Sequence, residues 1–295
     1  MLTGILAGLA AGALWGLVFI APRMTPGLSS VDLTVGRFLS YGGLSFALLL
    51  VHQSAWPSLR QAAWAVGLSV LGFTGYYLLL VLAIRDAGTE VPTLIIGTIP
   101  VWMMLLGKPA GLRLGGLLPG LALTLLGLGL MVQSALTGTL NLSGDDFWCG
   151  VGYAAASMLC WTAFGLLNAA WLKKNPHISA STWANWLGVA TGLGALGLWL
   201  VAGSDANALL AQENIWQSAL ICIATGIGSA WLATVLWNIS SQRLSSSLCG
   251  QLIVSETLFA LFYSFVWDGL WPTFLQASAG LLFVAGILAS IRAHR

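Results

Sequence analysis

Charge is scarce in this sequence. Only 7% of its 295 residues are Asp, Glu, Lys or Arg, whereas 58% are hydrophobic and the mean hydropathy is +0.90. A soluble domain carries about 25% charged residues, so this chain has too few to cover a surface that faces water. The shortage excludes a soluble globular protein and indicates an integral membrane protein whose main partner is the lipid bilayer. The net charge of +2 and the lack of a basic run argue against nucleic acid as a partner.

Residues and motifs that support catalysis or metal binding are also rare. The four cysteines form no C-x-x-C pair, and the three histidines lie near helix ends or in the tail: His52, His177 and His294. There is no H-E-x-x-H motif and no G-x-x-x-x-G-K-[ST] loop for ATP. We therefore expect no enzyme activity, no catalytic residues, no cofactor and no metal.

Long apolar runs fill the chain instead. A helix needs about 20 apolar residues to cross a bilayer, and runs of that length occur near 3–21, 31–51, 62–84, 88–107, 114–135, 148–171, 178–202, 215–238, 245–267 and 272–291. The first run lacks the basic start of a signal peptide, so we interpret it as a retained helix. The sequence predicts an all-α integral membrane protein with ten transmembrane helices.

The distribution of Lys and Arg predicts the orientation. If the N-terminus is cytoplasmic, the outer loops hold only Arg23 and Arg85. The cytoplasmic side then holds Arg60, Lys108, Arg113, Lys173, Lys174, Arg243, Arg292 and Arg295. The positive-inside rule therefore places both termini in the cytoplasm, in a multi-pass protein of the inner membrane.

A weak internal repeat relates the two halves. "AAGALWGLVF" recurs as "AASMLCWTAFG", which pairs Trp15 with Trp161, and "GTIPVWMML" matches "IVSETLFAL", which pairs Pro100 with Glu256. We expect one five-helix repeat over 1–140 and a second over 145–295. An odd number of spans per copy inverts the second copy, as in transporters whose substrate binds in a central cavity between the halves.

Three stretches carry a resemblance to a known family: "VGRFLSYGGLSFALLL", "LAIRDAGTEVPTLIIGTIPVWMMLLG" and "SETLFALF". They resemble the drug/metabolite transporter superfamily in its ten-helix, EamA-like form. "YYLLLVLAI", "WTAFG" and the tryptophan-rich interior are most similar to the YddG-type aromatic amino-acid exporters. The resemblance implies export of small molecules, namely aromatic or large neutral amino acids, by alternating access. Export of drugs or other metabolites is the alternative. Proton coupling and simple facilitated diffusion both stay open, and we expect a monomer.

Glu256 is the first candidate site residue, because a charge at the centre of a membrane helix costs roughly 2.5–3.5 kcal/mol. It could bind a proton, pair with a substrate ammonium, or form a structural hydrogen bond. Arg37 could attract a substrate carboxylate, pair with Asp32, or extend toward the bilayer surface. We interpret it as structural and leave it out of the predicted binding set.

Aromatic residues deep in the spans complete the predicted site. Many of the 15 tryptophans fit the belt at the membrane interface, but several lie well inside a run, where they either line a cavity or pack helices together. Pro100 frees a backbone carbonyl, and "WN" at 237–238 resembles the same dipeptide in the aromatic amino-acid exporters. The predicted substrate-binding residues are Trp15, Tyr76, Tyr77, Pro100, Trp102, Trp161, Trp231, Trp237, Asn238 and Glu256.

Overall fold

Residues 1–52, 56–87, 90–135 and 145–294 are described by a computed structural model, and every regular element within them is helical. The long helices are α1 Leu2–Phe19, α2 Ser30–Val51, α3 Leu59–Ala87, α5 Leu114–Ala135, α6 Asp145–Lys174, α7 Ala180–Ala202, α8 Ile215–Arg243, α9 Ser246–Asp268 and α10 Phe274–Ala293. The fourth helix, α4, consists of two pieces, Glu90–Ile96 and Ile99–Leu106. Short helical segments, Ala21–Met24 and Ala206–Leu210, lie in the connections after α1 and α7.

These helices confirm the predicted all-helical membrane class. In the described residues, nine are long and apolar enough to cross a membrane, and the apolar stretch Val91–Leu106 is shorter. The predicted boundary between the two repeats, at 140–145, involves residues 136–144, which lie outside the described residues. So do Gly88 and Thr89, at the start of the fourth predicted span.

Hydroxyl side chains fix where several helices begin. Ser29 accepts a hydrogen bond from the backbone N–H of Asp32 at the start of α2. Before α10, Thr273 and Gln276 cap each other reciprocally, and Ser58 and Gln61 do the same before α3. Each cap satisfies a donor that the first helical turn leaves without an intrahelical partner.

The helices pack in a pattern that is almost unchanged when the first five are exchanged with the last five. The contact of α3 with α6 corresponds to that of α8 with α1, and the contact of α1 with α9 corresponds to that of α6 with α4. In the contacting pairs α2–α7, α4–α9 and α5–α10, the two helices are each other's counterparts, so the exchange leaves each pair unchanged. In addition, α3 and α8 each contain a π-helical segment, Val70–Thr74 and Gly226–Leu232.

Glycines allow the closest of these contacts. Four glycines spaced four residues apart line the face of α1 that meets α9 and the end of α8: Gly4, Gly8, Gly12 and Gly16. A Cβ at Gly16 would lie 2.9 Å from the backbone nitrogen of Ala260. Small residues at this spacing let membrane helices approach at backbone distance, so α1 lies directly against α9.

The bundle is packed more tightly at one end than at the other. We define the terminal face as the end where α1 begins, where Gly4 contacts Leu244 and the N–H of Ser247 donates to the carbonyl of Gly107. In α9, residues 247–255 near this face are all buried, whereas none of residues 256–268 is. Residues 75–82 in the far half of α3 are all half-buried. Along α3 and α9, the bundle is therefore closed toward the terminal face and looser toward the opposite face.

We expect Gly42→Ala to destabilise the bundle. A Cβ at Gly42 would lie 2.7 Å from the Cα of Gly192 in α7, and backbone cannot move aside as a flexible side chain can. Overpacking of this kind costs about 1–3 kcal/mol, which thermal unfolding in detergent would show as a lower midpoint.

Gly43→Ala is the matched control, because a Cβ at Gly43 meets nothing within 4 Å. Alanine is favoured over glycine inside a helix by about 1 kcal/mol, so this variant should unfold at the same temperature or higher. Equal destabilisation by the two variants would contradict the proposed α2–α7 contact.

Candidate functional site

Three indole rings from three helices meet inside the bundle. Trp15 of α1, Trp161 of α6 and Trp237 of α8 contact one another, with ring centroids 6.1, 5.4 and 5.9 Å apart for the pairs 15–161, 15–237 and 161–237. We call these residues the tryptophan triad. Trp237 is only 1% exposed, whereas the other two rings are half-buried. The partial exposure leaves ring surface of the triad available for contact.

The sequence predicts both Trp231 and Trp237 as binding residues, and among the described ring contacts it is Trp237 that meets Trp15 and Trp161. The indole N–H of Trp231 instead donates to Oδ1 of Asn185, at 2.8 Å, within the π-helical segment of α8. Helix α8 ends at Arg243 rather than near 238, so Trp237 lies well inside it. A π-helical turn also changes the face that later residues present.

Glu256 lies in α9 where the buried stretch ends. The glycine contacts of α1 place it, because a Cβ at Gly12 would lie 3.1 Å from the backbone nitrogen of Glu256. Trp15 follows Gly12 by three residues, so it lies on the same side of α1. Among the described residues no group donates a hydrogen bond to the Glu256 carboxyl, although Arg37 and Tyr76 lie within electrostatic reach of it.

Arg37 of α2 points inward rather than toward Asp32. The Asp32 carboxylate accepts hydrogen bonds from the N–H and hydroxyl of Ser204, at 2.9 and 2.6 Å, and from the hydroxyl of Ser29, at 2.5 Å. The Nε atom of Arg37 is buried without a hydrogen-bond partner, and its guanidinium carbon lies 4.9 Å from the centroid of the Phe38 ring.

Arg37 is thus a residue that the sequence interpretation left out of the binding set. The signal was present, since "VGRF" places an arginine two turns inside an apolar helix. The structural interpretation rests on the resemblance, which implies an arginine at this position for many cargoes, and Asp32, five residues earlier, is one possible partner. The contacts of Asp32 with Ser204 remove Asp32 as that partner.

The two predicted tyrosines lie in the looser half of α3. The hydroxyl of Tyr77 donates to the carbonyl of Ser30, at 2.6 Å, and its ring contacts Phe38 edge-on. Tyr76 is half-buried and lies within electrostatic reach of both Arg37 and Glu256. Of the two, Tyr76 has its hydroxyl available near both charges, whereas Tyr77 supports α2.

Pro100 lies at the break in α4. The helix stops at Ile96 and restarts at Ile99, and Pro100 has no N–H to donate to the carbonyl of Ile96. The hydroxyl of Thr98 donates to the carbonyl of Ile95, at 2.6 Å, and accepts from the indole N–H of Trp102, at 3.2 Å. Trp102 is 43% exposed and makes no ring contact with the tryptophan triad.

Asn238 joins three helices. Its side-chain oxygen accepts from Nδ2 of Asn168 in α6, at 3.0 Å, and its side-chain nitrogen donates to the carbonyl of Ala180 in α7, at 3.2 Å. The other end of Asn168 accepts from the indole N–H of Trp183, at 2.7 Å. Both ends of the Asn238 amide are therefore occupied, and the network holds the neighbouring residue Trp237 in place.

The described residues contain no group of three or more His, Cys, Asp and Glu side chains with metal-binding geometry. The candidate site presents aromatic surface, one carboxyl, one guanidinium and one phenol, groups that suit recognition of a ligand.

Comparisons with known proteins identify the family and the fold. The model of the EamA-like transporter family matches residues 2–133. Inner membrane protein YtfF of Escherichia coli (strain K12) is 30% identical over 314 residues, which cover 99% of this chain and 96% of that protein. A crystal structure of a protein that is 21% identical superposes with a TM-score of 0.76 over 98% of both chains, which shows a shared fold. The chain therefore belongs to the EamA-like transporter family.

Proposed function

We propose that this transporter exports aromatic or large neutral amino acids from the cytoplasm by alternating access. The tryptophan triad is the observation that carries the proposal, and its member Trp15 lies on the helix whose Gly12 packs against the backbone of Glu256. Offset or edge-on contact between aromatic rings contributes about 0.5–1.5 kcal/mol per pair. An aromatic side chain would therefore gain more from this surface than a small aliphatic one.

The difference in burial between the two ends supports alternating access. A bundle closed at one face and looser at the other corresponds to one state of a transporter whose halves rock around a central site. If the terminal face is cytoplasmic, the state is outward-facing. The opposite state would require α4 and α9 to separate at Gly107 and Ser247.

Efflux from proteoliposomes loaded with labelled Phe, Trp, Leu and Lys tests the cargo. We expect efflux of Phe, Trp and Leu to exceed that from protein-free vesicles, and Lys to leave no faster than it does without protein. Efflux of all four at the protein-free rate would contradict amino-acid transport.

Trp161→Ala should reduce selectivity for aromatic cargo. Loss of one ring contact of 0.5–1.5 kcal/mol corresponds to about a 2- to 10-fold weaker apparent affinity for Phe relative to Val. The ratio of the two KM values measures this directly. Trp216→Ala is the control, because Trp216 is 85% exposed at the start of α8 and should leave the ratio unchanged. An unchanged ratio in Trp161→Ala would mean that the triad only packs helices.

We propose that both termini lie on the cytoplasmic side of the inner membrane. The end of α6 at the terminal face carries Lys173 and Lys174, α8 ends at Arg243, and Arg292 lies in the last turn of α10. A C-terminal green fluorescent protein fusion should fluoresce, and a C-terminal alkaline phosphatase fusion should be inactive. Active phosphatase there would reverse the assignment.

Export of drugs or other small metabolites is the second candidate. An apolar groove of about 490 Å³ opens on the flank of the bundle between the far ends of α1, α8 and α9, and its lining includes Leu17, Ile221 and Tyr263. Such a groove could admit a cargo from the bilayer. Competition by amine drugs against Phe efflux separates the candidates, and an imposed pH gradient separates proton coupling from facilitated diffusion.

A further inference from the structure

Two opposite charges inside this bundle have no direct partner. In residues 1–52, 56–87, 90–135 and 145–294, the ion pairs join Arg23 with Asp268 and Arg85 with Asp86, all near the face opposite the terminal face. Arg37 and Glu256 belong to neither pair. An unpaired ionisable residue inside a membrane protein indicates a functional site, since burial without a partner is unfavourable.

Arg37 retains most of its donors. Its Nε atom is buried without a partner, and no acceptor among the described residues hydrogen-bonds the guanidinium. The guanidinium lies over the ring of Phe38, which holds the side chain in place without using its N–H groups. A planar fork of free N–H donors matches the two oxygens of a carboxylate.

Glu256 retains its acceptors in the same way. The position of its backbone is fixed by contact with Gly12 of α1, and the carboxyl accepts no hydrogen bond from a described residue. Arg37 and Glu256 influence each other electrostatically but do not touch. Two residues that served only to neutralise each other would form an ion pair, and among the described residues these two do not.

We propose that Arg37 binds the carboxylate and Glu256 the ammonium group of a zwitterionic α-amino acid, whose side chain extends toward the tryptophan triad. This inference rests on the proposed function and deepens it, because it assigns recognition of the amino-acid backbone to two residues. A molecule with both charges satisfies both sites, whereas an amine leaves Arg37 unpaired and a carboxylic acid leaves Glu256 unpaired.

The wild-type protein tests the proposal without any substitution. The ability of L-phenylalanine, phenethylamine and 3-phenylpropionate to inhibit labelled phenylalanine counterflow is compared in proteoliposomes. Phenylalanine should inhibit at concentrations at least 10-fold lower than either analogue. Similar potency of all three would overturn the proposal.

Substitutions then assign each charge to its residue. Arg37→Gln should weaken inhibition by phenylalanine and 3-phenylpropionate at least 10-fold and leave phenethylamine unchanged, whereas Glu256→Gln should weaken phenylalanine and phenethylamine and leave 3-phenylpropionate unchanged. Arg23→Gln is the control, because Arg23 is exposed and paired with Asp268, and it should leave all three values unchanged. Equal effects of Arg37→Gln and Glu256→Gln on all three compounds would show a structural role and overturn the assignment.

A second variant and a comparison of outcomes keep the result interpretable. If Arg37→Gln does not yield a monodisperse protein, Arg37→Lys retains the charge without the fork and should give an intermediate loss for phenylalanine. If wild-type vesicles move no amino acid at all, the proposed function fails. If they move amino acids but do not distinguish phenylalanine from its two analogues, the function stands and the recognition by Arg37 and Glu256 is wrong.

Discussion

Helices surrounded by lipid gain little from the hydrophobic effect when they associate, so this bundle depends on close contact between backbones. The glycine face of α1 against α9 and the meeting of Gly42 with Gly192 between α2 and α7 provide that contact. Hydrogen bonds inside the bundle reinforce it, as in the network of Trp183, Asn168 and Asn238. Distances this short tolerate little variation in side-chain size, which fixes the rotation of each helix about its axis.

The site follows from that rotation. Gly12 brings α1 against the backbone of Glu256, and Trp15, three residues later on the same helix, meets rings from α6 and α8. The corresponding contact in the other half, between α4 and α6, involves a helix that breaks before Pro100. The two halves therefore pack alike but are chemically different at their centres: one offers a carboxyl on a continuous helix and the other a free carbonyl at a break.

The π-helical segments in α3 and α8 lie where those helices cross the interior. A π-helical segment contains one residue more per turn than an α-helix, which loosens the regular hydrogen-bond ladder. Such segments are common at functional sites. Residues that follow the segment in α3, Tyr76 and Tyr77, border the looser half of the bundle. The same elements that place aromatic rings in the interior are thus those best able to adjust in the alternating-access cycle that we propose.

The amino-acid sequence determined the class of the protein, the approximate spans and the helix starts, because hydropathy and capping are local properties that each segment carries on its own. The same local patterns singled out Glu256, Trp15 and Trp161. The tertiary structure decided that Trp237 rather than Trp231 completes the triad and that Asn238 links helices. It also decided that Ser204 rather than Arg37 donates hydrogen bonds to Asp32. These outcomes depend on helix rotation, on π-helical turns and on contacts between residues on different helices, distant in the sequence, which no local pattern contains.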